Sequence, residues 1–248
     1  MGLSSGKPLI YELNRRKSHM TIGSIFHDMW EIFITYYIGQ GLLWSGIGYT
    51  LLLSAIAVVA GALLGSLLAI GKMSRFKVLH WIITAFVEIM RGTPALLQLY
   101  IAYFIVPMIF SSLDLTPIAC VAVGLSLNSA AYVSEIIRSG IQAVDKGQTE
   151  AARALGLTSK TTMLKIVLPQ AIKNILPALG NEFITIIKET SLASTFFVGE
   201  LMTTYAVIKG VTFNTVPTLM DIGVIYFVMT FTLSKLLGLA EKKMKEGA

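Results

Sequence analysis

The most constraining feature of the sequence is an uncharged run: no Asp, Glu, Lys or Arg occurs between Glu31 and Lys72. About 20 apolar residues in a helix suffice to cross the ~30 Å hydrocarbon core of a membrane. The run therefore predicts a transmembrane helix over about residues 42–71. The whole chain is 54% apolar and 14% charged, whereas soluble domains carry about 25% charged residues. We predict an all-α integral membrane protein.

Four further apolar segments predict four more spans. They lie at about residues 78–110, 117–137, 177–198 and 218–237. The first of these four is too long for one straight span and contains the helix breaker Pro94, so we predict one kinked, tilted span bent at that proline. Glu88 and Arg91 are three residues apart, and we expect them to pair and hold the bend.

Basic residues indicate the orientation of the chain in the membrane. They are concentrated in segment 138–174, between the third and fourth spans, and in the tail 241–248, which predicts that both are cytoplasmic. An outer loop is then expected near residues 200–217. Five spans and a cytoplasmic tail place the start of the first span outside. We assign residues 41–240, which contain the five spans, to the transmembrane domain.

Residues 1–40 form a separate N-terminal extension in this interpretation. Residues 1–20 carry four basic side chains, which favour the cytoplasm and would require residues 21–38 to be a sixth span. However, one helical stripe of residues 21–38 is polar and the opposite one is apolar. The polar stripe consists of Ser24, His27, Asp28, Glu31 and Thr35. This pattern favours an amphipathic helix that lies in the membrane interface over one that spans the membrane.

The sequence shows no catalytic constellation. His19, His27 and His80 are scattered, and neither a metalloprotease HExxH motif nor a phosphate-binding GxxxxGK[ST] loop is present. The single cysteine, Cys120, excludes an internal disulfide. No basic patch with interleaved aromatic residues indicates nucleic acid. We therefore predict no enzyme activity and no metal site, and active transport would need an ion gradient or a separate motor protein.

The cytoplasmic segment contains a short hydrophilic stretch, TEAARALGLT (149–158). Thr149 is a plausible N-cap, and Gly156 can take the left-handed conformation that ends a helix. Thr158 or Ser159 can start a second helix, which we expect to end before Pro169. Helices this short are marginal alone, so the pair needs a surface to pack on. The residues themselves leave open whether that surface is a groove in a partner or the protein's own helical bundle.

Here the sequence resembles a known family. EAARALG (150–156), followed after nine residues by IVLP (166–169), is similar to the EAA loop of ABC-transporter permease subunits with the type I importer fold. The flanking segments RGTPALLQLYIAYF (91–104), NSAAYVSEIIRSGIQAVDKGQ (128–148) and LPALGNEFITIIKETSLAS (176–194) resemble the polar amino-acid uptake permeases of the histidine/glutamine/arginine group. The resemblance covers about residues 45–240.

This resemblance implies a five-helix subunit that works as a homo- or heterodimer in a bacterial inner membrane. Two cytoplasmic ATPase subunits would bind ATP and magnesium, and this chain would bind no cofactor. An extracytoplasmic binding protein would deliver a polar amino acid. The residues that match the motif, and would couple the ATPase to the spans, are Glu150, Ala151, Ala152 and Gly156.

Polar side chains inside the predicted spans are candidates for a substrate path, because a charge at membrane depth is costly and usually functional. In the fourth span these are Glu182, Thr185, Lys188 and Glu189. Asn128, Ser129 and Thr93 are candidates elsewhere. Counted from Pro177, Lys188 and Glu189 fall at mid-membrane. Alternatively, Glu182 and Lys188 lie near the inner interface, while Asn128 and Ser129 only join helices.

Three other functions stay open from the residues alone. The protein could carry another small organic ion, act as a secondary transporter driven by an ion gradient, or be a membrane scaffold that transports nothing. A secondary transporter would need its own ion-coupling site and no cytoplasmic docking loop.

Overall fold

The computed structural model describes residues 21–74, 76–112 and 114–246, with side chains up to Lys243. The four basic residues of segment 1–20, on which the sixth-span alternative depends, lie outside the described residues.

Every regular element in this described part is helical. In chain order the helices are α1 (Ile22–Ile32), α2 (Leu42–Lys72), α3 (Lys77–Gly92), α4 (Ala95–Ile109), α5 (Pro117–Gln142), α6 (Lys146–Ala154), α7 (Ser159–Thr162), α8 (Leu168–Glu189), α9 (Leu201–Thr212) and α10 (Thr215–Glu246). Three irregular helical turns extend them: π-helical turns at Phe33–Ile38 after α1 and Met163–Val167 after α7, and a 3₁₀ turn at Thr190–Phe196 after α8.

Three helices are long and apolar enough to cross a membrane alone: α2, α5 and α10. Two bent pairs, α3 with α4 and α8 with α9, bring the number to as many as five. The predicted first span matches α2 closely, whereas α5 and α10 extend beyond the predicted third and fifth spans. The protein is therefore a multi-pass membrane protein whose described regular elements are all helices.

The predicted second span is interrupted next to Pro94, as expected, but it does not continue beyond the proline as one tilted span. The helix ends at Gly92 and restarts at Ala95, around Thr93 and Pro94. The two helices are bent by 114°, so α4 turns partly back instead of continuing a tilted span. A proline within a helix produces a kink. Here the backbone is extended at both Thr93 and Pro94, so the helix is interrupted and the chain turns through a larger angle than at a kink.

The helix of the predicted fourth span does not start at Pro177. Pro177 lies inside α8, and the chain is helical without interruption from Ser159 to Phe196. Pro169 does not end the preceding helix either, because it falls in the first turn of α8. The π-helical turn before it supplies the reason: the Leu168 N–H bonds the Met163 carbonyl, and this wider turn lets the helix continue past a residue with no N–H.

Most of segment 200–217, predicted to be an outer loop, is helical in the structure and forms α9. Glu200 caps this helix and is completely buried. Its carboxylate accepts hydrogen bonds from the Met202 and Thr203 N–H groups at 2.5 and 2.7 Å and from the Tyr226 hydroxyl at 3.3 Å. Glu200 thus fixes the α8–α9 break to α10.

The centre of the bundle is formed by close packing of α2 on α5. The small residues of α2 are buried and repeat every four positions: Ala57, Gly61, Gly65 and Ala69. A Cβ atom at Gly61 would lie 2.6 Å from the Ser129 hydroxyl oxygen, and one at Gly65 would lie 2.7 Å from the Ala130 carbonyl oxygen. Only glycine permits these approaches, as expected for a small-residue helix interface in a membrane.

Helix α1 is amphipathic as predicted. His27 Nε2 and Glu31 Oε1 lie 3.3 Å apart on its polar side, where both side chains are largely exposed. Ile32 and the following Tyr37 are buried against α2, α9 and α10. Phe26 and Trp30 stay exposed. Among the described helices, α1 is not one of those long and apolar enough to cross a membrane.

The expected Glu88–Arg91 pair is not formed among the described residues. Arg91 pairs with Glu135 instead, with Nη1 lying 3.7 Å from Oε2. Glu135 also binds Lys72 and Arg138, each at 2.7 Å. One carboxylate on α5 therefore holds cations from α2, α3 and its own helix. The spacing of three residues predicts the Glu135–Arg138 pair, which is confirmed. It could not reveal Lys72 and Arg91, which are far from Glu135 in the chain.

Replacing Glu135 by glutamine should lower the free energy of unfolding by about 1–3 kcal/mol, since three cations would lose a mostly buried counter-charge. Thermal unfolding of the detergent-purified protein measures the effect. Glu31→Gln is the matched control, because Glu31 is 65% exposed and its removal should change little. Equal melting temperatures for the two variants would contradict the structural role of Glu135.

Candidate functional site

The short helix α6 is built by strong local signals at both ends. Its N-cap is Asp145, whose side chain accepts a hydrogen bond of 2.6 Å from the Gly147 N–H. The predicted cap, Thr149, is wrong, because it lies one turn inside the helix. At the other end Gly156 has a φ of +84°, and the Leu157 N–H bonds the Ala152 carbonyl at 3.1 Å. This is the Schellman arrangement that glycine favours.

The second short helix begins as predicted. Thr158 is the N-cap of α7, and its hydroxyl accepts a hydrogen bond from the Thr161 N–H at 3.2 Å. The turn at Gly156 thus connects two capped helices through only four residues, 155–158.

The four residues that match the EAA motif do not share one face. Ala152 is only 3% exposed and lies toward the bundle. Glu150, Ala151 and Gly156 are exposed, as is Leu155, whose apolar side chain is 84% exposed. We call the outward face formed by Glu150, Ala151, Ala154 and Leu155 the coupling face. The helix therefore packs on its own bundle through one side and leaves its other side exposed.

The predicted substrate path contains an unusual number of unpaired polar atoms. Nine buried side-chain oxygen or nitrogen atoms lack a hydrogen-bond partner in the described part of the chain, and four belong to this path. They are Asn128 Oδ1, Ser129 Oγ, Glu182 Oε1 and Glu189 Oε2; of these, Ser129 and Glu182 are close enough to interact with each other. Buried polar groups in proteins are nearly always paired, and unpaired ones at membrane depth are costly. These atoms are candidates for ligand contact.

Helix α8 divides its candidate residues between two faces. Glu182 is buried, at 8% exposure, while Thr185 and Lys188 are exposed and Glu189 lies between. Ile186, between the two glutamates, packs in one core cluster with Leu99 of α4 and Leu125 of α5. The depth predicted for Lys188 and Glu189 rested on a helix start at Pro177, and the structure removes that premise.

Gln98 is a residue of this region that sequence reasoning missed. Its amide nitrogen donates to the Met90 carbonyl at 2.7 Å and to the Thr93 hydroxyl at 2.9 Å. Its amide oxygen accepts from Asn128 at 2.8 Å. Gln98 therefore ties the α3–α4 break to α5 and links Thr93 to Asn128. The available signal was a lone amide in the otherwise apolar, aromatic-rich sequence of α4.

The chain matches the family described as "Binding-protein-dependent transport system inner membrane component" over residues 57–246. This match covers well over half of the sequence. The chain belongs to that family. It is therefore a membrane component of a transport system and not an enzyme.

Individual relatives agree with this assignment. The chain is 40% identical over 201 residues to the arginine transport system permease protein ArtQ of Bacillus subtilis, covering 81% of this chain and 91% of ArtQ. It is 41% identical over 195 residues to a putative glutamine transport system permease protein GlnP of Rickettsia bellii, covering 79% and 89%. It is 36% identical to the L-cystine transport system permease protein TcyB of B. subtilis, covering 82% and 86%.

Solved structures show the same fold. A chain from the crystal structure of an amino acid ABC transporter with histidines superposes with a TM-score of 0.80 at 43% identity, covering 85% of this chain and 98% of that one. The inward-facing methionine transporter MetNI superposes with a TM-score of 0.68 at 18% identity, covering 82% and 95%. The second likeness shows the fold alone.

Proposed function

We propose that this chain is the permease subunit of an ATP-driven importer of polar amino acids in a bacterial inner membrane. Two copies, or this chain and a related one, form the membrane dimer with five spans each. An extracytoplasmic binding protein delivers the substrate, and two cytoplasmic ATPase subunits bind ATP and magnesium. The amino-acid specificities named for the relatives ArtQ, GlnP and TcyB support the substrate class.

The observation that carries this proposal is the free coupling face of α6. Leu155 is an exposed apolar side chain beside exposed alanines at the end of a capped helix. Exposed apolar groups that are gathered on one rigid element mark an interaction surface. Small alanine side chains allow another backbone to approach closely, so the surface suits insertion into a groove of the ATPase.

The packing of α6 supplies a route from the ATPase to the spans. Ala152 is buried toward the bundle, and α6 contacts the π-helical turn Met163–Val167, which runs directly into α8. A displacement of α6 therefore acts on the helix that carries Glu182 and Glu189. Alternating access follows if closure of the ATPase pair moves this helix relative to α5.

Glu182 and Glu189 are suited to binding the ammonium group of an amino acid. Glu182 and Glu189 are seven residues apart, which places them on the same side of α8. Each has a buried oxygen without a partner among the described residues. An ammonium group satisfies such carboxylates with charge-assisted hydrogen bonds, so we assign the substrate's ammonium group to this face and leave its carboxylate to donors elsewhere in the path.

Reconstitution tests the function. The chain, copurified with its ATPase and placed in vesicles with the binding protein, should take up a labelled polar amino acid only when ATP is present. Uptake that persists without ATP and collapses with an ion gradient would establish a secondary transporter instead. Hydrolysis that no amino acid or loaded binding protein stimulates would favour a scaffold.

A further inference from the structure

A second region of the described chain, away from the substrate path, also combines a cavity with an unpaired charge. Asp221 of α10 is only 5% exposed. Among the described residues no hydrogen bond or ion pair reaches its carboxylate, and Oδ2 is buried without a partner. The hydroxyl of Tyr37, fully buried in the packing between α1 and α10, is unpaired as well. Tyr37 and Asp221 are close enough to interact electrostatically, but a buried carboxylate with neither a hydrogen-bond donor nor a cation is strongly disfavoured.

Asp221 lines a groove between α1 and α10. This outer groove has a volume of about 270 Å³, and its other walls are apolar, including Phe26 and Trp30 of α1. Asp221 lies in the second turn of α10, the end of the helix opposite its lysine-rich terminus. With the tail in the cytoplasm, the outer groove is at the extracytoplasmic surface of the membrane.

The outer groove continues into a longer, apolar one. This inner groove, of about 440 Å³, lies between α2 and α10 and shares Phe33, Val224 and Ile225 with the outer groove. Its lining along α10 extends to Leu233. The rise from Val224 to Leu233 corresponds to about 14 Å of helix, which is about half the hydrocarbon thickness of a bilayer and hence one leaflet.

We propose that the joined grooves form a binding site for one phospholipid of the outer leaflet whose headgroup carries a primary ammonium group. The ammonium group pairs with Asp221 in the outer groove, and one acyl chain lies in the inner groove between α2 and α10. The residues that line the two grooves indicate this ligand. The single buried carboxylate of Asp221 complements an ammonium group, and the apolar inner groove, which is about as long as one leaflet is thick, complements a hydrocarbon chain. The lipid would fasten α1 to the bundle.

Lipid retention tests this site. The assembly with its ATPase is equilibrated in nanodiscs with equal amounts of phosphatidylethanolamine and phosphatidylglycerol of identical acyl chains, and the lipids that stay bound are counted by native mass spectrometry. The wild type should retain phosphatidylethanolamine in preference to phosphatidylglycerol. Asp221→Asn should reduce that preference roughly tenfold, the value of one charged hydrogen bond. Glu31→Gln, an exposed acid on α1, should leave it unchanged.

A second variant separates lipid binding from any folding defect of Asp221→Asn. Val224 lines both grooves and is 55% exposed, so Val224→Trp should fill the junction and abolish retention without disturbing the core. Leu219→Trp, on the same helix but outside both grooves, is its control. Undiminished preference in Asp221→Asn, or equal retention of the two lipids by the wild type, would overturn the proposal.

The alternative occupant is a second copy of the chain, and disulfide cross-linking distinguishes it. The single cysteine, Cys120, is buried, so Cys120→Ser provides a clean background. Val224→Cys should then give no disulfide-linked dimer in the assembly. A dimer formed through this position would place the second subunit in the groove and contradict the lipid site.

Discussion

Replacing Gly156 by valine is expected to reduce ATP-driven uptake by about tenfold or more while leaving the amount of protein in the membrane unchanged. Gly156 has a φ of +84°, a conformation that costs a β-branched residue at least 1–2 kcal/mol. The substitution creates no clash, since nothing lies within 4 Å of a Cβ at this position. The strain therefore changes only the turn between α6 and α7, and with it the direction of the coupling face.

Gly156→Asn provides the control for this prediction, because asparagine tolerates the left-handed conformation better than other residues with a side chain. It should keep most of the uptake. Uptake and ATP hydrolysis measured on the same vesicles separate the outcomes: the valine variant should hydrolyse ATP without moving substrate, or lose the ATPase altogether. Normal uptake in Gly156→Val would remove the coupling role from this turn.

Replacing Glu182 by glutamine is expected to have opposite effects on transport and stability. Removal of an unpaired buried charge eliminates a desolvation cost, so the melting temperature should stay the same or rise. The substrate's ammonium group would lose a charged hydrogen bond of about 1.5–3 kcal/mol, which corresponds to a loss of roughly tenfold to a hundredfold in apparent affinity. Glu189→Gln should behave in the same way.

Concentration-dependent uptake and thermal unfolding of the same variants measure both effects. Glu135→Gln is the informative comparison, because Glu135 has three cationic partners, and its loss should lower stability instead. If Glu182→Gln destabilised the protein as Glu135→Gln does and left uptake intact, Glu182 would be a structural residue and the path would lie elsewhere.

Much of the membrane architecture follows from the sequence, because hydropathy and length act locally. The boundaries of α2 and the start of α5 at Pro117 were predictable from an uncharged run and a proline in the first helical turn. The small face of α2 was predictable from a repeat of four residues. Thr158 was recognisable as a cap because its signal lies within three residues.

The predictions about the fold were wrong where a local sequence signal is compatible with two different structures. Proline usually ends a helix, but Pro169 and Pro177 lie within one continuous helical segment, the first just after a π-helical turn that no residue pattern announces. Thr149 and Asp145 are both good caps, and only the hydrogen bond from Gly147 decides between them. The 114° bend at Pro94 depends on how α4 packs on α5, which is not encoded near the proline.

The candidate site was predictable as a set of residue types but not as an arrangement. Polar groups at membrane depth pointed to Glu182, Glu189, Asn128 and Ser129, all of which have a buried unpaired atom. The partner of Arg91 and the connecting role of Gln98 depend on contacts between helices 30 or more residues apart in sequence. Spacing along one helix carries no information about such contacts.

The central claim is that the coupling face of α6 seats in the ATPase, and cross-linking in the intact assembly tests it most directly. In the Cys120→Ser background, Leu155→Cys should form a cross-link to the ATPase subunit with a short thiol-reactive reagent, because Leu155 lies on that face and is 84% exposed. Ala152→Cys, which lies toward the bundle, should not. A Leu155→Cys protein that stays freely accessible in the active assembly and cross-links to no ATPase would contradict the account.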